Sequence, residues 1–152
     1  MEPTILHLEK IISNYSRRLE ALSEAVYTVK NSPGKWSKKE ILGHLVDSAQ
    51  NNIRRFLVAQ YEETPVILYN QDKWVELTGY QLYPIRDLIQ LWILLNRHIC
   101  RLLRHMPHGA ATRKCFMGNS QPHTLEWVAA DYCNHLLHHL HQILDLDPIA
   151  YP

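Results

Sequence analysis

The sequence lacks the marks of several common protein classes. No apolar run approaches the roughly 20 residues needed to span a bilayer, so no membrane association is expected. The chain opens Met1-Glu2-Pro3-Thr4, without a basic region followed by an apolar one, which gives no sign of a secretory leader. Charge of one sign is also missing: Lys and Arg number 16 against 15 Asp and Glu. The basic pairs Arg17-Arg18, Lys38-Lys39 and Arg54-Arg55 are scattered and read as solvated faces, so no nucleic-acid partner is expected. The three cysteines, Cys100, Cys115 and Cys133, form neither a C-x-x-C pair nor an even framework, which fits free thiols in a reducing, cytoplasmic setting. No stretch alternates apolar and polar residues with period two over a useful length, so no sheet is expected.

Four amphipathic helical patterns are present instead. The first runs from about Thr4, a candidate N-cap, to about Lys30, with Ile5, Leu8, Ile12, Tyr15, Leu19, Leu22 and Val26 on one stripe. Asn31-Ser32-Pro33-Gly34 ends it. The second follows Trp36, where Ser37 and Glu40 have the spacing of a capping box. Its apolar stripe of Ile41, Leu42, Leu45, Val46, Ala49, Ile53, Phe56 and Leu57 leaves His44, Asp47, Ser48, Asn51 and Arg55 on the other face.

Periodicity is lost between Glu62 and Pro84, and a connection of that length in a small domain suits a lid or crossover. Trp74 and Tyr80 within it could pack as a small cluster of their own. The third pattern starts at Pro84 and runs to about Met106, and the fourth runs from the N-cap Thr124 to about Leu146. The whole, residues 1–152, reads as one all-α domain, a four-helix bundle whose long crossover after the second helix allows two neighbours to run parallel.

Ten histidines are present, and their placement carries more than their number. Asp131, His135 and His139 step by four and share one helical face. Two imidazoles at that spacing can reach one ion, while a hydrogen-bonded pair without metal is the alternative. His138 and His141 point elsewhere; His141 reads as surface, His138 as surface or as a group behind the ligands, and His7, His98, His105, His108 and His123 read as structural or exposed. Leu136 follows His135, so the H-E-x-x-H of a zinc protease is missing. No Glu has a His three residues later, which excludes the paired Glu-x-x-His of di-iron bundles.

Three separated motifs resemble the DinB-like family, and within it the YfiT-like branch of metal-dependent hydrolases. They are Gly34-Lys35-Trp36-Ser37 leading into Gly43-His44-Leu45-Val46-Asp47-Ser48 and Ile53-Arg54-Arg55-Phe56, then Thr64-Pro65-Val66-Ile67 with Lys73-Trp74-Val75-Glu76-Leu77, then His135-Leu136-Leu137-His138-His139-Leu140. The resemblance implies a bundle of up-down-down-up topology, often a homodimer, and a divalent metal, nickel or zinc, held by His44, His135 and His139. Relatives are regarded either as hydrolases or as thiol S-transferases using a low-molecular-weight thiol, so a small-molecule substrate is implied.

Asp47, one turn beyond His44, is the candidate to orient a ligand imidazole or accept a proton, with a solvated carboxylate as its plain alternative. Arg55 is the candidate to neutralise an anionic substrate, with an internal ion pair as its alternative. A non-catalytic dimeric bundle with a structural or vestigial metal is the competing reading of the whole chain.

Overall fold

The computed structural model describes residues 1–118 and 121–151. Its long helices are α1 (Glu2–Glu20), α3 (Lys38–Val58), α5 (Ile85–His105) and α6 (Leu125–Ile143), with short helices α2 (Glu24–Thr28) and α4 (Gln71–Thr78) in the connections. Cross-links between helix ends fix their directions. Arg104, late in α5, pairs with Glu9 of α1, and Gln90 donates to Glu20, so α1 and α5 are antiparallel. The Met1 amine pairs with Glu126 at the start of α6, and the Tyr15 hydroxyl meets His141 near its end, so α1 and α6 run together.

Lys39 at the start of α3 donates to the carbonyls of Gln81 and Tyr83, which lie just before α5, whereas Lys38 pairs with Asp145 beyond α6. Helices α3 and α5 are therefore parallel and α6 opposes both. The order is up-down-down-up, as expected.

Each helix starts where a local signal places it. Ser37 and Glu40 form the reciprocal capping box, and Thr124 accepts from the Trp127 amide. The core between helices includes Leu8, Leu19, Leu45, Phe56, Leu88, Trp92, Ile99, Leu136 and Leu140, all at 1% exposure or less. Burial of that kind stabilises by about 1.5–3 kcal/mol per large side chain.

Four expectations need correction. The first helical pattern is broken: α1 starts from Met1 rather than Thr4, Pro3 lies in its first turn, and Ser23 caps the separate α2. Val26 consequently turns outward, and Tyr27 is buried in its place, its hydroxyl donating to the Leu19 carbonyl. The crossover is not without helix, because Asn70 caps α4 and Gly79, at φ +66°, ends it. Eight residues are too few to show a helical period.

A short antiparallel hairpin is present, β1 (Lys114–Cys115) against β2 (His123–Thr124), each strand too brief for alternation to register. Helix α6 stops at Ile143, before Leu146.

Candidate metal centre

Helix α3 presents a polar face that sequence alone would leave wet. In the fold it is dry: His44, Asp47, Ser48, Asn51, Asn52 and Arg55 are all buried, between 1% and 8% exposed. The cause is the arrangement of neighbours. Helix α6 covers one side of that face and the crossover covers the other, with the Tyr80 ring seated directly on Gly43, where a Cβ would lie 2.1 Å from it. Tyr80 thus belongs to the bundle and not to a cluster of the loop, while Trp74 does pack within the crossover, edge-on to Tyr69 at 5.3 Å.

Three imidazoles converge where α3 faces α6. One potential ligand atom from each of His44, His135 and His139 lies within 4.8 Å of the others. The Nε2 atoms of His44 and His135 are 3.0 Å apart, and the ring centroids are spaced 4.6 to 5.0 Å. Two imidazoles held about 2.0–2.1 Å from one tetrahedral ion would have nitrogens about 3.3 Å apart, so the existing separation needs little adjustment. Without metal, the same approach is satisfied by one neutral imidazole donating to the other.

The surroundings suit the ligand form of each ring. Burial lowers the His44 pKa to about 3 and the His135 pKa to about 2, with repulsion from His139 adding to both. His139 is also lowered, again chiefly by burial. All three are neutral near pH 7 and keep a lone pair for an ion.

Orientation comes from a chain of hydrogen bonds. His139 Nδ1–H donates to Gln142 Oε1 at 2.8 Å, the Gln142 amide donates to His138 Nε2 at 2.8 Å, and His138 Nδ1–H donates to the Ile149 carbonyl at 2.6 Å. That pattern is the one assignment of tautomers that satisfies every member, and it leaves His139 Nε2 unprotonated. His135 Nδ1 lies 3.4 Å from the Ser48 hydroxyl, and Trp36 covers the His44 ring at 5.1 Å. His138 thus takes the place behind the ligands that was one of its two readings, while His141 is not a plain surface residue, since it is half-buried and hydrogen-bonded to Tyr15.

His44 and His135 also line a cleft of about 450 Å³, whose walls include Arg55, Tyr69, Asp131 and Tyr151. Such a volume suits a small molecule. Arg55 reaches Asn52 Oδ1 and the Ile67 carbonyl, both at 3.3 Å. Asp131 accepts from the Tyr151 hydroxyl at 2.9 Å, and the Tyr151 ring packs 5.3 Å from His135.

Asp47 is placed differently. Its Oδ1 accepts from the Tyr80 hydroxyl at 2.5 Å, and it does not line this cleft. Burial pushes its pKa up to about 6, opposed by that hydrogen bond. Of the five candidates, three imidazoles meet, Arg55 stands on the cleft wall, and Asp47 faces the crossover.

Sequence reasoning passed over Trp36, Gln142, Tyr69 and Tyr151. Only Gln142 had a usable signal, its i+3 spacing from His139; the others arrive from loops.

The DinB superfamily model matches residues 7–143. The chain belongs to the DinB superfamily. Within it, the chain is 32% identical over 114 residues to a protein of Oceanobacillus iheyensis named for an inferred metal-dependent hydrolase activity, covering 74% of this chain and 66% of that protein. It is 29% identical to a similarly named protein of Halalkalibacterium halodurans, covering 88% of this chain and 81% of that one.

YfiT from Bacillus subtilis, for which metal-dependent hydrolysis is inferred and an unusual four-helix bundle topology described, superposes with a TM-score of 0.84 at 25% identity, covering 95% of this chain and 83% of YfiT. The mycothiol-dependent maleylpyruvate isomerase shares the fold alone, at 15% identity and a TM-score of 0.78, and this DinB chain spans only 61% of that protein's length.

Proposed function

We propose that this protein is a metal-dependent enzyme acting on a small molecule, by hydrolysis or by transfer of a low-molecular-weight thiol, at a divalent ion, nickel or zinc, held by His44, His135 and His139. The observation that carries the reading is the convergence of three neutral imidazoles, one buried and two half-buried, beside a cleft of small-molecule size. Three protein ligands leave an open position, at which such an ion acts as a Lewis acid and lowers the pKa of a water or thiol.

The chain's own residues supply the rest. Gln142 and His138 hold the His139 ring so that one nitrogen faces its partners, and Ser48 does the same, more weakly, for His135. Tyr69 and Tyr151 narrow the cleft, and the tilted Tyr151 ring shields one side of His135 from solvent. Arg55 supplies positive charge on the wall. Asp47, held by Tyr80, keeps the crossover against α3 one turn from His44, which makes it a positioning group for the site.

A thiol-conjugation assay with a small electrophile, run beside hydrolysis of a small ester, tests the proposal. Protein loaded with nickel or zinc is expected to turn over one of the two, and chelator-treated protein neither. Equal rates for loaded and chelated protein in both assays would sink the reading and leave a non-catalytic bundle.

A further inference from the structure

Arg55 is a buried cation left without an ionic partner among the described residues. Its side chain is 92% shielded by its surroundings (8% exposed), yet no carboxylate lies within ion-pair distance of it among the described residues. Its two protein contacts are neutral oxygens at 3.3 Å, long for charged donors, and Nε has no protein partner. The nearby carboxylate, Asp131, is engaged by the Tyr151 hydroxyl instead. A buried cation without an anion is strongly disfavoured, and an anion bound at the guanidinium would relieve that cost. Because Arg55 and His135 line the same cleft, an anion at the guanidinium would lie in the space that the imidazoles face.

We propose that Arg55 is a carboxylate-binding residue, and that the substrate or cosubstrate of this site is a small organic acid whose carboxylate docks on the guanidinium while its reactive end faces the histidines. The inference rests on the catalytic reading above for the word substrate, but the binding itself does not need the metal. The guanidinium offers a planar fork matched to two carboxylate oxygens, and Nε–H is the donor still available to complete it. Tyr69 and Tyr151 line the same cleft, where their rings would flank the carbon skeleton between the two ends.

The test is calorimetric titration of succinate, and of its neutral analogue succinamide, into the chelator-treated full chain. Succinate is expected to bind and succinamide to bind at least about tenfold more weakly, the loss that follows from removing one charge-assisted pair. Arg55→Gln is expected to bring succinate down to the succinamide level, and Arg55→Lys to recover part of the difference.

Should Arg55→Gln fail to fold, the wild-type comparison still decides, together with the 15N shift of the Arg55 Nε on adding succinate. Equal binding of succinate and succinamide, no binding of either, or unchanged succinate binding by a folded Arg55→Gln would overturn the carboxylate subsite. Nickel binding measured on the same preparations keeps the two readings apart. A wild-type chain that binds nickel but not succinate removes the subsite alone, and one that binds succinate but not nickel removes the metal centre alone.

Discussion

Helices α3 and α5 run side by side in the same direction, both 21 residues long, and both bury an apolar stripe, but only α3 buries a polar face as well. Helix α5 buries Leu88, Ile89, Trp92, Ile93, Ile99 and Leu103 with a single polar residue, Asn96. That residue is fully used: its amide donates to the Trp92 carbonyl at 2.8 Å and its oxygen accepts from Tyr132 at 2.7 Å.

Helix α3 buries Lys39, His44, Asp47, Ser48, Asn51, Asn52 and Arg55, and leaves His44 Nδ1, Asp47 Oδ2 and Arg55 Nε without protein partners among the described residues, where α5 leaves only Trp92 Nε1. Each unsatisfied buried polar group costs about 1–3 kcal/mol. One helix is built for stability. The other gives stability up for a site.

That contrast can be broken by substitution, most heavily in α5. Leu88→Ala, at a fully buried position, is expected to cost about 2–5 kcal/mol in chemical denaturation while leaving nickel affinity of the folded protein unchanged. A comparable loss of affinity would mean that the two helices do not divide the work.

Gly43→Ala comes next. Alanine favours a helix, but its Cβ would meet the Tyr80 ring at 2.1 Å, and the rigid ring and its bond to Asp47 resist displacement. A net destabilisation of about 1–3 kcal/mol is expected, and a stabilised variant would show that the crossover is not clamped to α3.

The smallest expected effect is a change of pH dependence at Asp47. Burial raises its pKa from 3.8 to about 6 in the folded protein. Well below the unfolded value of 3.8 both states hold the proton and the group is neutral in its effect. As pH rises from about 4 through 6 the unfolded chain releases it first, so folding stability falls across that window. Asp47→Asn, whose amide oxygen still accepts from Tyr80, is expected to remove this component. Measured as the difference in melting temperature between the two metal-free proteins from pH 4 to 7, an unchanged difference would count against it.

Much of the bundle was legible because helices of about 20 residues repeat their apolar positions five times over. The caps at Ser37 and Thr124 and the start at Pro84 fell where their residues indicated. Shorter elements were not legible: α2, α4 and the hairpin contain too few residues for any period to emerge. The break between α1 and α2 turned on Ser23, whose competing cap a continuous stripe concealed.

At the site, the i,i+4 spacing of His135 and His139 was visible, and the family resemblance supplied His44 as their companion. The burial of the α3 polar face was not visible, because it depends on Tyr80 and α6 arriving from elsewhere in the chain. For the same reason Asp47 could be placed near His44 without any sign that its carboxyl turns to Tyr80. Arg55 read equally well as half of an ion pair until the fold placed no carboxylate against it.

Metal titration of His135→Ala against the wild-type chain bears most directly on the three-imidazole centre. Chelator-treated wild type is expected to take up one nickel or zinc ion per chain. His135→Ala is expected to retain its helical circular dichroism but to lose affinity by more than the roughly 10–100-fold typical of an outer-shell change. A folded variant that still binds one ion with wild-type affinity would contradict coordination by His44, His135 and His139.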